Sequence, residues 1–101
     1  MSALDELFGA LADPTRRALL ERLMRSGPDT ATRLCEHSQL TRQAIVKHLQ
    51  ALVDAGLATP ERHGREVRYR ATPESLAEVV AWLTESSSGW DRRLARLRAS
   101  R

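Results

Sequence analysis

The sequence predicts a mainly α-helical chain that carries one small β-hairpin. Three observations say so. Apolar residues recur at spacings of three and four over most of the chain, the period of a helix with one buried face. That period gives way to strict alternation only after Gly56, in the EVRYRA run at 66–71. Helix punctuation stands at the joints, where Asp13-Pro14, Thr41 and Thr72-Pro73 each put a capping side chain ahead of an amphipathic stretch.

Leu4, Leu7, Phe8 and Leu11 form the stripe of a short first helix, with Ser2 placed to cap it. It stops at Asp13-Pro14, and the same pair opens the second helix. Asp13 serves as N-cap, and Pro14 takes the first helical position, where a missing N–H costs nothing. This second helix, PTRRALLERLMRS, is expected to bury Leu19, Leu20, Leu23 and Met24 and to end near Gly27-Pro28. Thr30 caps a short third helix whose Leu34 and Cys35 face inward, and Ser38-Gln39-Leu40 connects it to a fourth.

That fourth helix, over 41–56 (TRQAIVKHLQALVDAG), is the stretch the chain is organised around. Ile45, Leu49 and Leu52, with Val53 beside them, make its buried stripe, and Gly56 suits the left-handed position just past its end. Thr41 caps its start, and Arg42, Gln43, Ala44, Lys47 and His48 fill the rest of the first two turns. These residue types suit a DNA major groove: Arg pairs bidentately with guanine, Gln with adenine, and a methyl-sized side chain touches thymine. A short helix, a three-residue connection and a longer helix with an exposed N-terminus make a helix-turn-helix.

Leu57-Ala58-Thr59 and 66–71 are the strand candidates, with His63-Gly64 at the turn. Val67, Tyr69 and Ala71 point one way and Glu66, Arg68 and Arg70 the other, the pattern of a half-buried strand. Pro60 belongs at an edge or a bulge, because it has no N–H for a ladder. The hairpin carries Arg62, Arg65 and Arg68 and lies where a winged helix places its wing, which suits contact with phosphates.

After Thr72-Pro73-Glu74, the residues Leu76, Val80, Leu83, Ser87, Trp90, Leu94 and Leu97 alternate spacings of four and three, a heptad seam with one polar member. Ser86-Ser87-Ser88-Gly89 has poor helix propensity. The seam keeps its register across that stretch, so 73–98 reads as one helix of roughly 39 Å. Such a seam is long for a small core. It is expected to face a second subunit, with Leu4, Leu7 and Phe8 joining Leu83, Trp90, Leu94 and Leu97 in a dimer interface.

Composition narrows the function. A chain of 101 residues is one domain, and its net charge of +3 favours an anionic partner. Four aromatic residues are too few for the stacking platforms of a single-strand binder. One cysteine excludes an internal disulfide framework and fits a reducing compartment. The N-terminus is acidic and no apolar run is long enough for a bilayer, so the reading is a cytoplasmic protein with no membrane contact. Cys35 has Glu36 and His37 as neighbours, but adjacent helical positions diverge by about 100° and do not converge on one ion. Cys35 therefore reads as a small buried residue, and no metal or other cofactor is expected. Cys35 with His37 or His48 is also the one conceivable nucleophile and base, and no oxyanion loop or phosphate cradle accompanies it, so no enzyme is expected.

ALADPTRRALLERL, TRQAIVKHLQALVDAGL and RHGREVRYRATPESL, in this order and spacing, resemble the ArsR/SmtB family of winged-helix transcriptional repressors. The resemblance spans nearly the whole chain. It looks closest to the metal-independent, SdpR-like members, whose last helix is similar to VVAWLTESSSGWDRRL. It implies a homodimer on a palindromic double-stranded DNA operator, with Thr41, Arg42, Gln43, Ala44, Lys47 and His48 matching the recognition helix and Arg62, Arg65 and Arg68 the wing. Val46 stands where the family commonly has Ser or Thr, Gln39 where glycine is common, and Ser38 where an apolar residue is common. Two other readings stay open. The fold could serve as a protein-interaction module, or Cys35 could make the repressor responsive to metal or oxidant.

Overall fold

The computed structural model describes residues 3–99, apart from the side chains of Pro73, Ser88, Trp90 and Asp91. The elements run α1 (Ala3–Leu11), α2 (Pro14–Ser26), β1 (Asp29–Thr30), α3 (Ala31–Glu36), α4 (Arg42–Asp54), β2 (Ala58–His63), β3 (Glu66–Ala71) and α5 (Pro73–Ala99). The expected helices are all present. Ser2, the expected cap of α1, and Arg101 lie outside the described residues.

Local chemistry sets the helix ends. The Asp13 carboxylate accepts from the backbone N–H groups of Thr15 (2.8 Å) and Arg16 (3.1 Å), capping α2. Two guanidinia from that same helix close the end of α1: Arg16 donates to the carbonyls of Ala10 and Gly9, and Arg17 to that of Leu11. The Thr30 and Thr41 hydroxyls cap α3 and α4 through the N–H groups of Arg33 and Ala44. Past α4, Gly56 takes a φ of +80°, a region open to glycine without strain. Its carbonyl accepts from the Ser75 hydroxyl at 2.5 Å, which ties α5 to the end of α4.

The core gathers one face from every helix. Leu7, Leu19, Leu20, Leu23, Leu34, Ile45, Leu49, Leu52, Leu57 and Val79 are buried, with Tyr69 closing the sheet side. Met24, expected inside, is 53% exposed. It sits in the last turn of α2, one position past Leu23, and the helix turns it away from the core. Cys35 is half-buried, and its thiol donates to the Leu40 carbonyl at 3.3 Å.

The hairpin belongs to a three-stranded antiparallel sheet of order β1-β3-β2. Strand β1 is an addition to the sequence reading: two residues carry no alternation signal, yet Asp29 and Thr30 pair with Tyr69 and Arg68. Pro60 lies in β2, an edge strand as expected. Strand β2 runs on to His63, past the expected Leu57-Ala58-Thr59, and the turn is shifted by one residue. His63 pairs with Glu66, so Gly64 and Arg65 make a two-residue turn, with Gly64 at a φ of +64°. Glycine at the first central position is what a tight hairpin turn of this length favours.

Helix α5 is continuous through 86–89. It leaves the core early. Leu76 and Val79 pack inward, and Trp82 meets Phe8 of α1 edge to face, with ring centroids 5.2 Å apart. With α1 on that side, Val80 and Leu83 are left 60% and 51% exposed, and Leu94 and Leu97 lie open farther along.

Candidate nucleic-acid interface

The first helix of the helix-turn-helix is held to the wing by β1. Thr30 pairs with Arg68 of β3 and at the same time caps α3, so the strand runs directly into the helix. The Arg22–Asp29 ion pair, at 3.8 Å, adds α2 to this junction. Helices α3 and α4 and strand β3 are thereby fixed around a groove of about 470 Å³, lined by residues that include Thr32, Arg33, Arg42, Arg65, Val67 and Tyr69.

Around α4 the six expected contact residues divide by helical angle. Ile45, Leu49 and Leu52 face the core. Gln43 and Lys47 stand on the opposite crest, exposed. Arg42 and Val46 flank one side and line the groove. Ala44 and His48 flank the other, half-buried. His48 is close enough to Asp13 for its charge to favour the carboxylate. The main cause that holds Asp13 below the usual aspartate range is the Arg16 N–H, with Thr15 and the Arg16 charge adding to it. Thr41 is exposed but has its hydroxyl committed to the cap. Arg42, though exposed, is not free: its Nε–H donates to the Thr32 hydroxyl of α3 at 3.2 Å.

The three wing arginines are not one cluster. Directly opposed residues in an antiparallel pair share a face of the sheet. Arg62 is opposite Val67, which puts it on the face with Tyr69, and Arg65 occupies the turn and lines the groove. Arg68 lies on the other face, 3.4 Å from Glu66. On that face Arg70 and Glu61 also pair, at 2.8 Å. The Arg70 hydrogen bond is the main cause that holds the Glu61 carboxyl below its ordinary range, and His63, 3.6 Å away, adds to it. Arg62 and Arg65 have no ion pair or hydrogen bond among the described residues.

Of the residues expected at a dimer interface, Leu83, Leu94 and Leu97 are exposed, and Leu4 and Phe8 are partly buried against the core. Leu7 is a correction. It is 3% exposed within one chain and has no surface left for a partner. The Trp90 side chain lies outside the described ones. Trp82, absent from the expected set, is 45% exposed beside the open seam. The sequence reading also missed Thr32 and Arg33 in the groove, since no local pattern ties α3 to a residue ten positions on.

Comparison with known proteins agrees with the helix-turn-helix fold. A family model described as a helix-turn-helix domain matches residues 11–61. The transcriptional repressor SdpR of Bacillus subtilis (strain 168) is 30% identical over 80 residues, which cover 79% of this chain and 88% of SdpR. A probable mercury resistance operon repressor of Streptomyces lividans is 37% identical over 73 residues, 72% of this chain, and the match spans 58% of that relative's length. An ArsR-like transcriptional regulator from Rhodococcus sp. RHA1 superimposes with a TM-score of 0.80 at 39% identity, over 94% of this chain and 89% of that one. By sequence and by fold together, the chain belongs to the ArsR/SmtB family of winged helix-turn-helix transcriptional regulators, DNA-binding repressors rather than enzymes.

Proposed function

We propose that the protein is a single-domain, cytoplasmic, homodimeric repressor that binds a palindromic operator without a bound metal. The observation that carries this reading is the shared groove. Arg42 of α4 and Arg65 of the wing line it from two sides, while Gln43 and Lys47 stand clear on the adjacent crest. The first two turns of α4 enter the major groove, where Arg42 and Gln43 meet base edges and Lys47 meets phosphate. Arg62 and Arg65 hold the backbone beside it. Arg68, on the other face and paired with Glu66, contributes field rather than contact.

The dimer is supported by the apolar surface that one chain leaves open along α5, from Val80 and Leu83 to Leu94 and Leu97. Large apolar side chains left open along one helix suit an interaction surface. Two-fold symmetry then places the two α4 helices in successive major grooves, roughly 34–36 Å apart. Among the described residues no three His, Cys, Asp or Glu side chains come together as metal ligands, and none of the helices is long and apolar enough to cross a membrane. The likeness to a mercury resistance repressor favours the competing reading, a metal-responsive switch.

Fluorescence anisotropy separates these readings. The protein is titrated into DNA from upstream of its own gene and into a scrambled duplex, with chelator, at several salt concentrations. Tight, selective binding with log K falling about 0.9 per log salt for each neutralised phosphate supports the proposal. Affinity that changes on adding Zn²⁺ or Hg²⁺ supports the metal switch. Weak binding, equal on both duplexes and on random genomic fragments, leaves the protein-interaction module.

A further inference from the structure

We infer that Thr32, on the first helix of the helix-turn-helix, is a positioning residue that presets the Arg42 guanidinium for a base contact. The inference rests on the proposed base-reading role of α4.

The Nε–H of Arg42 donates to the Thr32 hydroxyl oxygen at 3.2 Å, across the turn that joins α3 to α4. Arg62 and Arg65, the proposed phosphate contacts, have no such tether among the described residues. The difference matches the two tasks. A phosphate contact tolerates many orientations of a cation, because it carries no sequence information. Bidentate pairing with guanine needs the planar fork in one plane, and an untethered arginine loses the freedom of its long side chain when it docks. Using Nε as the anchor leaves both terminal nitrogens, Nη1 and Nη2, to reach O6 and N7 together. Thr32 is itself well placed, because α3 is capped by Thr30, the residue that pairs with β3. The anchor is thus fixed to the wing as well as to the recognition helix. Arg42 and Thr32 both line the groove, so the tether lies on the surface proposed to meet DNA.

The test uses full-length protein and short duplexes that the wild type selects from a random-sequence library, against unselected duplexes. Thr32→Val removes the acceptor and keeps the branched shape; Thr32→Ser keeps the acceptor. Thr32→Val is expected to lose about 3- to 10-fold in affinity for the selected duplex, the size of one hydrogen bond. It should lose nothing on random DNA, Thr32→Ser should bind as wild type does, and the salt slope should stay unchanged. In an Arg42→Ala background, Thr32→Val should have no further effect. Equal loss on selected and random DNA, or losses of the two variants that simply multiply, overturns the inference. If Arg42→Ala lowers selectivity and Thr32→Val does not, only the role of Thr32 falls. If Arg42→Ala leaves selectivity intact, the base-reading role of Arg42 falls, and the role of Thr32 with it.

Discussion

A guanidinium that meets a base edge and one that meets a phosphate fail differently when removed. Arg42→Ala or Gln43→Ala is expected to cost about 1–3 kcal/mol on the operator and to relax base preference at one position. Arg65→Ala should weaken binding to all sequences alike and lower the salt slope by about one. Anisotropy on operator and scrambled duplexes distinguishes the two patterns. Asp13 makes a separate prediction about pH. Its carboxyl is held below the usual range by the Arg16 and Thr15 N–H groups, so the folded state binds its proton less readily than the unfolded chain. That contribution to stability is complete above the ordinary aspartate range and is lost as pH falls through the depressed folded value. Asn caps a helix without titrating. Thermal melts across acid pH should therefore show a shallower fall for Asp13→Asn than for the wild type.

At the level of elements, the wing shows how a turn sets a function. Gly64 adopts a φ of +64°, and a Cβ added there would meet no atom within 4 Å. The cost of Gly64→Ala is then backbone strain without a clash, about 1–2 kcal/mol for a left-handed residue. Because Arg65 follows directly in the turn, the variant should melt at lower temperature and bind DNA more weakly on operator and random duplexes alike. Selectivity should be kept, since α4 is untouched. Most of the fourth helix was legible in advance: the Thr41 cap, the Ile45–Leu49–Leu52 stripe and Gly56 all lie within 16 residues and act through local rules. Strand β1 was not. A two-residue strand has no periodicity of its own, and it exists because β3 presents a free edge beside the start of α3.

The whole molecule is elongated, 64 × 26 × 25 Å, because α5 runs well past the core. Leu94 is 44% and Leu97 66% exposed, on a part of the helix that one chain leaves uncovered. Leu94→Glu with Leu97→Glu places charge on that stripe without touching the monomer core. In sedimentation the wild type should run as a dimer and this variant as a monomer with unchanged helix content. Operator affinity should fall steeply, since a monomer engages one half-site. A variant that still sediments as a dimer would assign the interface to other residues.

The amino-acid sequence by itself determined most helix boundaries, the Asp13, Thr30 and Thr41 caps and the family, because each rests on spacing or on side chains within a few residues. It also marked α4 and the wing as basic and exposed. What only the tertiary structure decided is which of these residues meet. The alternation of β3 put Arg68 away from Val67 and Tyr69 in advance, but only the pairing register put Arg62 on the face with them. The packing of α1 against α5, where Phe8 meets Trp82, left Val80 and Leu83 open, while Leu7 is buried in the core of one chain. The contact between Thr32 and Arg42 joins two helices whose separation in space no local pattern encodes. Side-chain periodicity specifies the face a residue occupies on its own element, whereas the neighbour it finds depends on how those faces are stacked.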